Sequence, residues 1–172
     1  MLDDKNQGLP ARFDPQVLAE CNLALTGQVS VAAMSRLKHA AVSIRSDAEI
    51  DLNFSRGSVG HCKVDGEIIC TVGLRCDRCL DELEVCLRPI VKLILIQDHA
   101  ANLGQTESYD LYEYSGKNIK LTEFVEDELL LAFPLAPKHK EISLCNQDVV
   151  AWLATCCRPE DNTRNPFAKL RY

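Results

Sequence analysis

The chain of 172 residues has no long apolar run. Its most apolar stretches, residues 90–96 and 129–133, are interrupted by Lys92 or far too short, because a membrane-spanning helix needs about 20 apolar residues. Residues 1–20 include four acids and lack the continuous apolar stretch of a signal peptide. We therefore expect a cytoplasmic protein without a membrane segment.

Basic residues are also in short supply. The chain has 19 lysines and arginines against 25 acids, which gives a net charge of −6. A protein that binds RNA through its phosphates normally has a basic face, and the composition does not provide one, although a local basic patch stays open. The composition therefore favours binding to proteins over binding to nucleic acid through its phosphates.

Motifs of the common enzyme classes are missing as well. The chain contains no Gly-x-Gly-x-x-Gly, no Walker-type loop and no Gly-x-Ser-x-Gly. His39, His61 and His99 have no partner at the spacing of a metal-binding or catalytic motif. We therefore expect no catalytic residue, no small-molecule substrate and no organic cofactor, and a protein that is not an enzyme.

A strong alternating pattern is present on both sides of residues 76–79. Apolar side chains occupy most even positions from 64 to 76 and most odd positions from 83 to 95. Such alternation predicts two long strands joined by a short polar turn, an antiparallel hairpin whose turn is Cys76-Asp77-Arg78-Cys79.

The remaining pattern predicts shorter strands and a few helices. Strands are expected at residues 22–29 and 47–55, and helices after the capping residues Ser30 and Thr122 and at Gln147–Cys156. Polar residues 98–118 indicate a long loop. This order, without βαβ alternation, predicts an α+β fold: an antiparallel sheet that includes the hairpin, with two or three helices packed on it.

By its length, the chain should form a single domain over residues 1–172. The two ends should be less regular than the middle. Pro10 and Pro15 interrupt any long element in residues 1–20, so we expect an irregular N-terminal arm there. Residues 158–172 are expected to form an exposed C-terminal tail.

Nine cysteines are present, and in a reducing cytoplasm they should be thiols or metal ligands rather than disulfides. A tight turn could bring the sulfurs of Cys76 and Cys79 to one zinc ion, with His139 and Cys145 as the best candidates for the remaining ligands. Reduced, partly buried thiols and a redox pair stay open as alternatives. A redox pair usually lies at a helix N-terminus, which lowers a thiol pKa, whereas this pair lies between predicted strands.

Charged residues supply two further candidates. The predicted acidic helix carries Glu123, Glu126, Asp127 and Glu128. These acids form either a solvated helix face or a docking surface for a basic partner such as a ribosomal protein. Arg75 and Arg78 on the hairpin are either solvated charges or part of a patch that contacts RNA phosphates.

Four segments, taken in order, resemble the YceD-like family. They are the turn at residues 74–80 with its Cys-x-Arg-Cys, the acidic helix at 125–134, the Pro137, His139 and Cys145 group, and the closing Asn-Pro-Phe-Ala-x-Leu at 165–170. The resemblance covers nearly the whole chain, because length and order agree as well.

The resemblance implies a bacterial, non-enzymatic factor that supports the synthesis, processing or stability of 23S ribosomal RNA. It implies a ribosomal protein or a precursor of the 50S subunit as the partner, with direct contact to 23S RNA as the alternative and a thiol redox protein as a third possibility. Some family members have more cysteines after the acidic helix, which supports a structural zinc ion. This chain has His139 and Cys145 there, with Cys156 and Cys157 further on.

Overall fold

A computed structural model describes residues 8–57, 61–97 and 108–156. Across these residues the chain forms nine strands and four α-helices. The strands are β1 Arg12–Phe13, β2 Ala24–Val29, β3 Ser43–Ile44, β4 Ala48–Arg56, β5 Cys62–Arg75, β6 Glu82–Leu87, β7 Ile90–Gln97, β8 Asp110–Tyr114 and β9 Ile119–Lys120. The helices are α1 Pro15–Glu20, α2 Ser35–Ala40, α3 Leu121–Leu131 and α4 Gln147–Cys156.

The predicted α+β class is confirmed, with a sheet that is mostly antiparallel. Its described strands follow the order β2-β4-β5-β7-β8, and β3 and β6 also pair with β5. Strands β7 and β8 are parallel, which the sequence did not indicate. Alternation explains the placement of β4, because Ile50, Leu52 and Phe54 are buried while Asp51 and Asn53 are exposed.

The predicted second arm of the hairpin is two strands rather than one. Strand β6 ends at Leu87 and β7 begins at Ile90, so that Arg88 and Pro89 interrupt the expected run. Proline has no backbone N–H to donate to a sheet, which explains the break. Both strands nevertheless pair with β5, and β7 pairs with its first half, from Cys62 to Glu67.

Three local predictions were wrong. The N-terminal arm is not irregular throughout, because the Asp14 carboxylate caps α1 and Pro15 suits its first turn. Part of the predicted loop at 98–118 forms β8, while residues 98–107 lie outside the described part of the chain. Helix α3 begins before Thr122, with Lys120 as its N-cap residue.

Ser30 caps a short 3-10 helix at Val31–Ala33, not the α-helix itself, which follows as α2. The four described α-helices outnumber the two or three expected, because α1 lies in the predicted arm. Helix α4 has the bounds predicted for it. The predicted tail at 158–172 lies outside the described residues.

The described residues divide into two compact units. The first unit contains the described residues up to Leu74 and from Glu84 to Leu135, and the second contains residues 75–83 and 136–156. In the first unit, the rings of Phe13, Phe54 and Phe124 meet edge to face at 5.3 and 6.0 Å in the core. The single domain over residues 1–172 stays a prediction. Of the helices described, none is long and apolar enough to cross a membrane.

Candidate metal centre

The Cys-x-x-Cys segment forms a tight turn in the second unit. The Cys76 N–H donates to the Asp81 carbonyl and the Leu80 N–H donates to the Cys76 carbonyl, each at 2.8 Å. Leu80 adopts the left-handed conformation, with φ at 66°, and so helps the chain to reverse. The turn directs both thiols inwards, since Cys76 is 0% and Cys79 2% exposed.

The other half of the site comes from the segment before α4. The Asp77 N–H donates to the Pro137 carbonyl at 2.8 Å and so joins this segment to the turn. A 3-10 helix at Ile142–Leu144 leads into Cys145. The Asn146 side chain then accepts hydrogen bonds from backbone N–H groups at the start of α4 and fixes where that helix begins.

The four residues predicted as metal ligands come together. The ligand atoms of Cys76, Cys79, His139 and Cys145 all lie within 4.8 Å of one another. His139 Nδ1 is 3.5 Å from the Cys79 sulfur and 3.6 Å from the Cys145 sulfur. A tetrahedral zinc ion, with Zn–S near 2.3 Å and Zn–N near 2.0 Å, would separate a nitrogen and a sulfur by about 3.5 Å. The donor set and its spacing therefore fit one zinc ion.

The cysteines of this cluster are shielded from solvent. Cys145 is 5% exposed, and Leu83, Val149 and Val150 pack against the three cysteines. His139 is half-buried. An apolar shell of this kind limits the access of solvent to a metal site.

Hydrogen bonds change the thiol acidity within the cluster. Burial on its own raises the pKa of Cys76, but hydrogen bonds from the backbone N–H groups of His139, Cys79 and Arg78 and from the Cys79 thiol outweigh it and lower that pKa to about 6. Burial is the largest cause that raises the pKa of Cys145, and its hydrogen bond with Cys79 adds to the rise. Metal ligation requires a thiolate, and so does a nucleophile. The low pKa of Cys76 therefore suits both kinds of site.

Arg78 contacts two of the three sulfurs. Its backbone N–H donates to the Cys76 sulfur at 3.4 Å, and its guanidinium Nη1 donates to the Cys145 sulfur at 3.7 Å. The sequence predicts Arg78 to be either a solvated charge or part of a patch that contacts RNA phosphates, and neither interpretation includes the contact with Cys145. No local pattern could show it, because Cys145 lies 67 positions further along the chain.

The acidic helix is less solvated than its sequence indicates. In α3, Glu126 is 4% and Glu128 8% exposed. Burial raises the pKa of Glu128, and the charges of Asp127 and Asp110 add to that effect. The interpretation of all four acids as a solvated face was therefore wrong. Glu123 remains exposed and pairs with Lys120.

Arg36 is the partner of the buried Glu126, and no motif in the sequence marks it. Its guanidinium donates to Glu126 and to Asp127, with Arg36 Nη2 2.9 Å from Glu126 Oε2. The second Glu126 oxygen accepts from the Leu37 N–H at 3.0 Å, in the first turn of α2. A cavity of about 610 Å³ lies at this pair and is lined by Arg36, Glu126 and Asp127 among others. Within the first unit, these acids hold α3 against α2.

Arg75, the other basic residue predicted to contact a partner, is exposed in the second unit. Cys156, at the end of α4, is an exposed thiol. Cys157 lies outside the described residues. The predicted contacts of Arg75, Arg78 and the acidic residues with a partner stay predictions.

Comparison with known proteins matches the chain to a family and to similar proteins. Residues 64–172 match the family described as "Large ribosomal RNA subunit accumulation protein YceD". A Haemophilus influenzae protein of the same description is 31% identical over 173 residues, and the alignment covers 94% of each chain. No solved structure matches the chain significantly.

Proposed function

This chain belongs to the YceD family, as its four motifs predict, and from that membership we propose that it supports the accumulation of large-subunit (23S) ribosomal RNA by binding rather than by catalysis. The match along nearly the whole length of the Haemophilus relative, whose name states this role, carries the proposal. We place the protein in the cytoplasm, where large ribosomal subunits are assembled in bacteria.

The cysteine cluster supports a structural role. Catalytic zinc sites keep one position open for water or substrate, whereas structural sites are closed by four protein ligands. Here Cys76, Cys79, His139 and Cys145 supply four donors, and the three cysteines are at most 5% exposed. A thiol enzyme would need its low-pKa sulfur within reach of a substrate, and the Cys76 sulfur is buried. The low pKa of Cys76 is then what a metal thiolate requires.

A zinc ion held by these four residues would join residues 75–83 to residues 136–156. The second unit has only about 30 described residues, and segments this short seldom form a stable core without a metal or disulfides. Among its described residues, the buried apolar cluster consists of the three cysteines and the side chains that pack against them. We therefore assign the zinc a stapling role in folding this unit.

The partner in this proposal is a ribosomal protein or a precursor of the 50S subunit. The net charge of −6 favours a basic protein as the direct contact. Of the acids in α3, Glu123 and Asp127 remain accessible, with side chains 55% and 33% exposed. Arg75 and Arg78 are the corresponding candidates for contact with RNA.

Complementation tests the function. In a bacterial strain that lacks its own family member, the chain should restore the ratio of 23S to small-subunit ribosomal RNA. A Cys76→Ser variant should fail to do so, because it lacks one metal ligand, while Cys21→Ser, which changes an exposed cysteine outside the cluster, should succeed. An unchanged RNA ratio with the native chain would contradict the proposed function.

Capture from lysate tests the mechanism. The tagged chain should retain ribosomal proteins after ribonuclease treatment, since protein contact does not need intact RNA. Loss of every partner after ribonuclease, with binding that falls steeply as salt rises, would instead indicate phosphate contacts and a direct RNA-binding module. That outcome would overturn the protein-contact mechanism and leave the family assignment intact.

A further inference from the structure

The four proposed ligands would leave the metal centre with a net negative charge. Three thiolates and one neutral histidine around a zinc ion leave a net charge of −1. The thiolates of Cys76, Cys79 and Cys145 are at most 5% exposed. A buried charge is costly unless a positive group or several hydrogen bonds compensate it. A cation beside the thiolates that is not itself a ligand would therefore stabilise the centre.

Arg78 is placed to supply that cation. Its Nη1 lies 3.7 Å from the Cys145 sulfur, and its backbone N–H lies 3.4 Å from the Cys76 sulfur. One residue thus contacts sulfurs from both segments of the second unit. The side chain is half-buried, whereas Arg75 in the same unit is exposed.

Arginine also suits the position chemically. A guanidinium keeps its charge at any physiological pH and is less strongly hydrated than an ammonium group, so its partial burial costs less. Groups that hydrogen-bond to metal ligands fix their orientation and commonly change metal affinity by about 10–100-fold when they are removed. The contact with Cys145 is of that kind.

We propose that Arg78 is a positioning residue of the metal centre, whose guanidinium neutralises the Cys3His zinc complex and holds the Cys145 sulfur in place. Arg78 does so without ligating the metal. This inference rests on the proposed zinc site. It gives Arg78 a role inside the protein that is independent of any contact with RNA or a protein partner.

Competition between the zinc-loaded full chain and a chromophoric chelator tests the inference. Arg78→Gln should raise the zinc dissociation constant about 10–100-fold. Arg75→Gln makes the same change in charge at an exposed site and should leave the constant within about twofold, because solvent and salt screen that charge. Arg78→Lys should give an intermediate value, since it keeps the charge but loses the planar fork.

Cobalt substitution gives a second readout. The Arg78→Gln protein should still show the tetrahedral spectrum with sulfur-to-cobalt charge transfer, because all four ligands remain. If Arg78→Gln does not fold, the zinc affinity of Arg78→Lys decides instead. Equal affinities for the Arg78 variants and Arg75→Gln would overturn the inference while the zinc site stands. A native chain that binds no zinc would remove the site, and this role of Arg78 with it.

Discussion

Replacing Cys145 with alanine should abolish zinc binding and unfold the second unit. Zinc content should fall from about one ion per chain to nearly none, because a structural site rarely survives with three ligands. Without the metal, residues 136–156 keep few apolar contacts to hold them on the Cys76–Cys79 turn. Chelation of the native protein should have the same effect.

Amide hydrogen exchange would show which of the two units unfolds in Cys145→Ala. The amides of Cys76, Asp77 and Leu80, which bond within the second unit, should lose protection in Cys145→Ala. Amides of β4 and β5 in the first unit should keep theirs. Cys156→Ala is the matched control, since it removes an exposed thiol from the same unit and should change neither zinc content nor protection. Protected amides in metal-free Cys145→Ala would contradict the stapling role.

Replacing Glu126 with alanine should destabilise the protein by about 2–4 kcal/mol. The change removes the acceptor of the buried Leu37 N–H and both contacts of that carboxylate with Arg36. Helix α2 has no side-chain cap of its own at Met34, so the carboxylate from α3 takes that place. Glu126→Gln should lose less, because its amide oxygen still accepts from Leu37.

Urea denaturation of the zinc-loaded chain measures this difference. Glu123→Ala is the control, because it removes an exposed acid from the same helix and should cost far less than Glu126→Ala. Equal losses for the two variants would show that the Glu126 contacts add nothing. In that case the α3 acids would again be candidates for a docking surface as a group.

Glu123 is exposed and Glu126 is buried, and this difference could not be predicted from the sequence. Both lie in one acidic run, and acidic side chains are mostly exposed in folded proteins. The burial of Glu126 depends on Leu37, which is 89 positions away and belongs to another helix. Only the tertiary fold brings the two together.

The metal cluster was more accessible to prediction. The spacing of Cys76 and Cys79 indicates a metal site, and His139 and Cys145 are the best candidates in the sequence for its remaining ligands. The contact of Arg78 with Cys145 was not predictable, because it depends on how two distant segments meet. Burial of β4 and β5 followed from alternation, which is a local property of the chain.

Two features of the sheet were not predicted from the sequence: strand β8 and the break at Pro89. Asp110–Tyr114 has only five residues and follows a polar stretch, so residues 98–118 were predicted to form a loop. The parallel pairing of this strand with β7 depends on long-range contacts. The break at Pro89 had a visible cause, since proline cannot donate to a sheet. The alternating pattern continued across it and concealed the separation of β6 from β7.

X-ray absorption at the zinc edge, on protein purified without chelator, tests the central claim most directly. One zinc ion per chain should be present, with three sulfur neighbours at about 2.3 Å and one nitrogen at about 2.0 Å. A shell that contains oxygen would instead indicate an open site, which suits catalysis. Absence of zinc, or that open shell, would contradict the account of Cys76, Cys79, His139 and Cys145 as a closed structural centre.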